Sequence, residues 1–501
     1  MTILLSTLNA RYTHTSLGLR YLLANMGKLQ AATFLHEFII DTPTNVIAEK
    51  ILDYKPDIVG LGIYIWNVEE TTKVVSMLKS LNPKIIIVLG GPEVSYETEN
   101  QDICALADYI ITGWGEATFP ELCHHILNDN KPLSKILPGT KLDLNRIVMP
   151  YHLYNDEDIA HRTLYVEASR GCPFRCEFCL SSLDKTAQAF DTDTFLQEIE
   201  LLFARGARQL KFVDRTFNLN INSSLKILDY FLDKQTKSPD DPIFVHFEVV
   251  PDHLPATLKD AIQQFLPGTL QLEIGIQTFN PEIQKNIGRK QDNEKTIVNT
   301  QWLAKHTHAH LHTDLIVGLP GEDLTSFAQS FDQLIRLKPH EIQVGILKRL
   351  KGTPILRHEK THKIVFDAYP PYPVLKTDCI DFSSMQHMAR FARYWDLIGN
   401  SGRFVHTLEL ILGVSPFDRF MALTDYIYET TEATHNIALD RLTRLICEWL
   451  LLDGMDKQLL KSTITRDYAG RFFDPSPKAK QPGHPKKTVS PIRQVRHLSS
   501  N

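Results

Sequence analysis

Short apolar runs alternate with amphipathic stretches along the first 140 residues. Ile3–Leu5, Phe34–Ile39, Ile58–Ile65, Ile85–Leu89 and Tyr109–Ile111 have the length and composition of strands. Between them, Leu17–Met26, a stretch capped by Thr44 and running to Leu52, and Val68–Leu81 have helical periodicity. In the last of these, Val68, Val74, Val75, Leu78 and Leu81 fall on one side. Ile85–Leu89 is apolar at every position, the pattern of a parallel strand covered on both faces. The pattern predicts an α/β, doubly wound, Rossmann-like sheet ending at Tyr109–Ile111.

A polar, acidic linker, Tyr151 to His161, leads into a second alternation. Thr163–Val166, Gln209–Val213, Ile243–Val249, Leu270–Ile276, Ala309–Val317 and Ile342–Leu347 are the predicted strands. Helices fill the gaps, among them one capped at Asp191 or Thr192 and ended by Gly206, and Leu324–Leu337. Six βα units predict a partial, TIM-like (β/α)6 barrel whose chemistry belongs at the carboxyl ends of its strands. After the proline-stiffened segment 368–374 the pattern turns helical: Met385–Gly399, Leu408–Leu412, Phe417–Thr430 and Ile437–Leu452. From Pro475 the chain is rich in proline and lysine and has no acids, which predicts disorder. The expected domains are therefore 1–140, 158–385, a helical domain 386–474 and a basic tail 475–501.

Composition narrows the class. At 43% hydrophobic and 23% charged residues the chain reads as soluble and globular. A net charge of −5 gives no overall reason to expect nucleic acid as a partner, and the lysines of the tail, Lys478, Lys480, Lys486 and Lys487, read by default as solvated. The N-terminus lacks a basic region and a long apolar core, so no signal peptide is expected, and no apolar stretch predicts a membrane span. Seven cysteines, of which Cys104, Cys123, Cys379 and Cys447 are scattered, do not form a disulfide framework, which points to a reducing cytoplasm.

Three of the seven are not scattered. Cys172, Cys176 and Cys179 form CxxxCxxC in a loop opened by Gly171 and Pro173. A loop this short aims three sulfurs at one point, and such a set binds soft metals. A structural zinc and a four-thiolate cluster both need a fourth ligand, which is not close by in sequence. A 4Fe–4S cluster held by three cysteines would keep one iron open. Other unusual residues collect at strand ends: Tyr64 and Trp66, Gly90-Gly91-Pro92-Glu93, and Gly113-Trp114-Gly115-Glu116 in the first domain. Glycines there let a flat, bulky ligand approach the backbone. In the second domain, Asp214-Arg215, Glu248, Glu273 and Gln277, Arg289 and Asp314 stand at or near strand ends. His308, His310 and His312 alternate, so they share a strand face. A zinc site is one reading of them and surface histidines the plainer one.

The strand Thr163–Val166, the CxxxCxxC loop and Phe178 before its last cysteine resemble the radical S-adenosylmethionine (SAM) enzymes. The resemblance implies that Cys172, Cys176 and Cys179 hold a 4Fe–4S cluster whose open iron chelates SAM. An electron from a donor such as flavodoxin or ferredoxin then cleaves SAM to methionine and a 5′-deoxyadenosyl radical. The strand-end segments look like those of oxygen-independent coproporphyrinogen oxidase, which implies SAM contacts for Asp214, Glu248, Gln277, Arg289 and Asp314. The first domain resembles the cobalamin-binding domain that precedes many such cores. That likeness implies cobalamin contacts for Tyr64, Trp66, Gly90, Gly91, Glu93, Gly113, Gly115 and Glu116.

One departure stands out. The Asp-x-His-x-x-Gly of cobalamin domains that supply an axial histidine is absent; His14, with Leu17 three after it and Gly18 four after, reads as a loop residue. Cobalamin is then expected without a protein histidine, or the domain has lost it. The C-terminal part resembles a domain of unknown function found behind cobalamin-linked radical SAM cores, at Pro370-Pro371-Tyr372 and Asn400–Phe404, and is expected to cover the open barrel end. The implied protein is a cytoplasmic, anaerobic, cobalamin-dependent radical SAM enzyme of the magnesium-protoporphyrin ester cyclase and methylase group. It would methylate or rearrange an unactivated carbon of a small molecule. Three rivals remain: a radical SAM enzyme without functional cobalamin, a non-enzymatic cobalamin or iron–sulfur sensor that binds nucleic acid through its tail, and a structural zinc protein.

Overall fold

In the computed structural model, which describes residues 2–467 and 493–498, six parallel strands form the first sheet. They are β1 (Ile3–Asn9), β2 (Thr33–Ile39), β3 (Ile58–Gly62), β4 (Ile86–Gly90), β5 (Tyr109–Thr112) and β6 (Ile136–Pro138), in the order β2-β1-β3-β4-β5-β6. The helices α1 (Leu17–Ala24), α2 (Thr44–Asp53), α3 (Val68–Leu81), α4 (Asp102–Leu106) and α5 (Thr118–Leu127) alternate with them. Successive strand residues serve opposite faces, which is why the runs are apolar throughout. Leu4, Val59 and Ile87 pack with Val74 and Leu78 of α3, while Leu5, Ile58 and Val88 pack with Phe119 and Leu122 of α5.

Three expectations shift here. The sheet does not end at β5: Ile136-Leu-Pro138 adds a sixth, edge strand, too short and too close to polar residues to stand out in sequence. Thr44 is the first residue of α2, not its cap, and Pro43 holds the cap position. β3 stops at Gly62 because Asn67 pulls the chain aside. Its Oδ1 accepts from the Tyr64 N–H (2.8 Å) and its Nδ2 donates to the Leu8 carbonyl (3.0 Å).

A capping box at Asn155 starts α6 (Asp156–His161), which leads to β7 (Leu164–Val166). The antiparallel pair β8 (Ser169–Arg170) and β9 (Gln188–Ala189) then closes the cysteine loop. α7 (Thr192–Ala204) follows, with Asp191 as its cap, then β10 (Gln209–Phe212), α8 (Ile221–Lys237) and β11 (Phe244–Val249). β7, β10 and β11 run parallel.

These elements belong with the first sheet in one compact unit, Met1–Glu248 with Lys348–Leu356 and Asp367–Pro373. The expected core 158–385 is thus divided, and a buried charge network accounts for the attachment of its first strands. Arg20 of α1 pairs with Asp158 of α6 (2.7 Å) and Glu37 of β2 (3.2 Å), and Arg162, just after α6, pairs with both acids (2.8 and 2.7 Å). Two cations and two anions compensate one another out of water, so removing one would strand its partners.

The second unit, Val249–Leu347 with Arg357–Phe366 and Val374–Asn501, starts with α9 (Ala256–Ile262), β12 (Leu270–Gln277), α10 (Pro281–Asn286) and α11 (Asn293–His306). It continues through β13 (His310–Val317), α12 (Leu324–Arg336) and β14 (Glu341–Ile346), and β12, β13 and β14 are parallel. The small pair β15 (Val365–Phe366) and β16 (Val374–Lys376) precedes the helices α13 (Phe382–Leu397), α14 (Val405–Leu412), α15 (Pro416–Thr431), α16 (Leu439–Leu452) and α17 (Lys457–Asp467). An aromatic cluster joins α12 to this layer: Phe331 lies 5.2 Å from Phe391 and 4.8 Å from Trp395, and Phe327 lies 6.0 Å from Phe417.

Within this unit the helices pack along the flank made by α12 and β14. Met385 of α13 does approach the carboxyl end of β13, at Gly318. The expected disordered tail needs a correction as well. Arg493–Leu498 is a helix, α18, while the rest of the tail, with Lys478, Lys480, Lys486 and Lys487, lies outside the described residues.

Candidate functional site

The carboxyl ends of β1, β3, β4 and β5 border a cavity of about 730 Å³, within the range of small-molecule sites. Seven of the eight residues expected to touch cobalamin line it: Tyr64, Trp66, Gly90, Gly91, Gly113, Gly115 and Glu116. Tyr64 and Trp66 stack face to face, 4.4 Å between centroids and 5° from parallel, with Trp66 Nε1 donating to the Leu8 carbonyl (3.1 Å). Gly91 has φ 108°, and a Cβ there would lie 2.5 Å from the Ile63 carbonyl oxygen. At Gly113 (φ 76°) a Cβ would meet nothing within 4 Å, so the missing side chain leaves open room.

Glu93 departs from the expectation. It is buried but is not on the cavity wall. Tyr372 donates its hydroxyl to Glu93 (2.8 Å), and Lys351 pairs with it (3.1 Å). His14 departs the other way, since it does line the cavity, with Nδ1 2.6 Å from the Tyr165 hydroxyl. Burial lowers its pKa, which favours the neutral imidazole.

The cysteine loop starts directly after Arg170, a residue of the cavity wall. Gly171 has φ 91° and its Cβ would fall 2.8 Å from Ala187 N, so the turn requires glycine. The Cys172 N–H donates to the Asp184 carbonyl (2.8 Å), and the Ser182 hydroxyl reaches the carbonyls of Cys176 (2.8 Å) and Cys179 (2.7 Å). Cys172 and Cys176 are buried and Cys179 is partly exposed. Burial pushes the Cys172 thiol up to about 11. The sulfurs of Cys179 and Cys176 add to this, and Arg215 opposes it.

Residues the prediction did not include as contacts tie the loop to the cavity. Arg170, directly before Gly171, lines the cavity and donates to Glu116 (2.6 Å) and Glu167 (2.9 Å), with its guanidinium 4.6 Å from the Trp114 ring. Trp114 in turn donates to Asp184 (3.0 Å), the residue that holds Cys172. The visible signal was an arginine fixed between a strand and a metal loop.

The expected SAM contacts divide in their surroundings. Asp214 is buried and both its oxygens are taken, one by the Ala168 N–H (3.0 Å) and the other by the Ser169 hydroxyl (2.5 Å). Burial pushes its pKa up to about 7. It therefore braces the strand into the cysteine loop, with one acceptor position of each oxygen engaged. Glu248 pairs with Arg215 (2.7 Å), which also lines the cavity. In the second unit, Gln277 (φ 71°) and Arg289 converge on Gly275. A Cβ at Gly275 would lie 2.7 Å from Gln277 Nε2, and Arg289 donates to the Gly275 carbonyl. Asp314 faces His312 at 3.2 Å.

The groups implied by these features fit the residues present. Three thiols in one glycine-turned loop suit an iron–sulfur cluster, whose charge would hold them as thiolates. A glycine-walled cavity with a flat aromatic pair suits a planar macrocycle.

Comparison with known families agrees. The B12 binding domain matches residues 4–123, the Radical SAM superfamily residues 166–334, and a protein family of unknown function, DUF4080, residues 360–475. The chain carries a B12-binding domain and a Radical SAM domain and is homologous to cobalamin-dependent radical SAM methyltransferases; these domains imply cobalamin, a 4Fe–4S cluster and SAM. An uncharacterized methyltransferase of Pyrococcus horikoshii is 25% identical over 339 residues, 62% of this chain and 71% of that one. The cobalamin-dependent radical SAM methyltransferase TokK of Streptomyces tokunonensis is 24% identical over 372 residues, 66% of this chain and 52% of its own. In fold, the chain is similar to the cobalamin-dependent SAM radical enzyme OxsB with aqua-cobalamin bound (TM-score 0.62, 14% identity, 93% of this chain and 84% of that one). Among the described residues no helix is long and apolar enough to cross a membrane.

Proposed function

We propose that the chain cleaves SAM at a cluster held by Cys172, Cys176 and Cys179 and methylates an unactivated carbon of a small molecule, with cobalamin seated in the 730 Å³ cavity. One observation carries this reading. The cavity wall runs directly into the cysteine loop, because Arg170 lines the first and immediately precedes the second, and Glu116 and Trp114 grip it from the first domain. When bound, these groups supply a carbon-centred radical and a transferable methyl group.

The chain's own residues hold and shield them. Tyr64 and Trp66 give the macrocycle a flat apolar bed, and Gly90, Gly91, Gly113 and Gly115 let it lie against the backbone. Arg170, held by Glu116 and Glu167, fixes the angle between loop and cavity. Glu248, Gln277, Arg289 and Asp314 offer carboxylates, an amide and a guanidinium, which suit the amino acid end and ribose diol of SAM. Asp214 braces the strand that leads into the cysteine loop. A flavodoxin- or ferredoxin-type donor and a cytoplasmic setting complete the reading, consistent with a chain of sparse cysteines.

Anaerobic reconstitution with iron, sulfide, cobalamin, SAM and reductant tests it. Both 5′-deoxyadenosine and S-adenosylhomocysteine are expected. Deoxyadenosine without homocysteine would overturn methyl transfer while leaving the radical chemistry, and absence of both would overturn the reading.

A further inference from the structure

The amino ends of β13 and β14 carry a second cluster of ligand-type side chains, opposite Val317 and Ile346 at the other end of those strands. His310 opens β13 and Glu341 opens β14. Both are buried, at 6% and 3% exposure, and His310 Nε2 lies 2.9 Å from Glu341 Oε1. His497 reaches them from α18. One ligand atom from each of the three lies within 4.8 Å of the others. We propose that His310, Glu341 and His497 bind a divalent transition-metal ion of the zinc type, which clips the C-terminal helix α18 to the sheet.

The donor set is right for that ion. Two imidazoles and a carboxylate make a zinc site with one position left for water. The surrounding bonds already orient the ligands. His497 Nε2 faces the Asn400 carbonyl at 3.2 Å, so its proton sits there and Nδ1 is left bare for a metal. Arg493 takes Glu341 Oε2 (2.8 Å), leaving Oε1 toward His310. His340 packs 4.7 Å from His310 but is no ligand: its Nδ1 accepts from the Leu311 N–H (3.0 Å), so Nε2 carries the proton. Of the other histidines singled out in this stretch, His312 faces Asp314, so only His310 of the alternating set is a ligand.

An anchor of this kind explains why a six-residue helix is found here at all. A helix this short has no stability of its own. Its seat is the Asn400–Phe404 segment. Arg496 Nε donates to the Ser401 carbonyl (2.7 Å), and a Cβ at Gly402 would lie 3.1 Å from Arg496 Cβ. Asn400 in turn bonds both the N–H (2.8 Å) and the carbonyl (2.9 Å) of Ile342, so the seat is fastened to β14 beside the proposed ligands.

The test is equilibrium dialysis of the full chain carrying Cys172→Ala, Cys176→Ala and Cys179→Ala, so that the cysteine loop takes up no metal, against Zn²⁺ and, separately, Co²⁺, with metal counted by plasma mass spectrometry. One site is expected whose Co²⁺ spectrum shows d–d bands without a thiolate charge-transfer band. His497→Ala and a chain ending at residue 492 should each weaken that site roughly 100-fold, with circular dichroism otherwise unchanged. Glu341→Gln should weaken it too. Zinc held equally well by His497→Ala, a site whose Co²⁺ spectrum is thiolate-dominated, or no binding at about tenfold excess metal would each overturn the proposal.

Discussion

The carboxyl edge of the first sheet and that of β7 and β10 look alike in sequence, strands followed by conspicuous residues, but they are built differently. At the first, the working surface is what side chains do not occupy: Gly90, Gly91, Gly113 and Gly115 leave backbone bare, and two aromatic rings stack to make a wall. At the second, charged groups answer one another. Asp214 is engaged by Ala168 and Ser169, Glu248 by Arg215, and Arg170 by Glu116 and Glu167. A glycine is passive, so its position alone predicts open space. A carboxylate has several partners to choose from, and its position alone does not tell which one it takes.

The comparison breaks first at the cysteines, to which the proposed cluster is assigned. Cys172→Ala, Cys176→Ala or Cys179→Ala should each reduce deoxyadenosine formation by three orders of magnitude or more, on the scale of about 4 kcal/mol, with iron content falling in step. Iron retained in all three variants would refute the assignment.

Next comes the passive edge. Gly91→Ala places a Cβ 2.5 Å from the Ile63 carbonyl oxygen, at φ 108°. Neither backbone can yield, so a loss of about 3 kcal/mol or more is expected in denaturant unfolding, along with loss of cobalamin binding. Asp214 should give a comparable effect that depends on pH. Its folded pKa, about 7, stands above the ordinary carboxylate value because of burial. The folded state therefore holds more protons than the unfolded one between about pH 4 and 7, and stability falls as pH rises through that window. Asp214→Asn should remove that slope, worth on the order of 2–4 kcal/mol. A wild-type stability curve already flat from pH 4 to 7 would show that Asp214 is ionised throughout.

What could be read from sequence follows the same division. Val68–Leu81 is a helix with the expected bounds because five apolar residues repeat at its period and no competing partner intervenes. The two sheets and the seven cavity residues were legible for the same reason. The role of Glu93 was not, because its partner Tyr372 lies 279 residues along the chain. Ser169 and Ala168 turn Asp214 inward by contacts that only the closed strands create. The tail's lysines and prolines masked α18, whose order comes from Glu341, Asp396 and Ser401 and not from its own propensity. His14 read as a loop residue because its motif is absent, yet the loop sets it on the cavity wall.

A smaller effect separates the aromatic wall from the glycines beside it. Trp66→Ala removes one ring of the stack and its bond to Leu8 but leaves the backbone alone. Cobalamin affinity should fall about tenfold, or ~1.4 kcal/mol, with little change in folding. Equilibrium dialysis with hydroxocobalamin reads it, and an unchanged Kd would mean that the macrocycle does not rest on this ring.

The finest test asks whether Glu93 belongs to the first edge or to the second. It sits in the glycine turn after β4, yet it behaves like the charged residues, held by the Tyr372 hydroxyl and the Lys351 ammonium. Tyr372→Phe deletes one of those two bonds and leaves the ion pair. Burial, and then Glu93, push the Tyr372 hydroxyl's pKa upward, so it stays a donor across the working pH range. Losing a hydrogen bond to a charged acceptor should cost about 1–2 kcal/mol of stability. Cobalamin affinity should stay as it is, since neither residue lines the cavity. If Tyr372→Phe instead weakened cobalamin binding with stability intact, Glu93 would be acting on the ligand after all, and the turn after β4 would combine both kinds of edge.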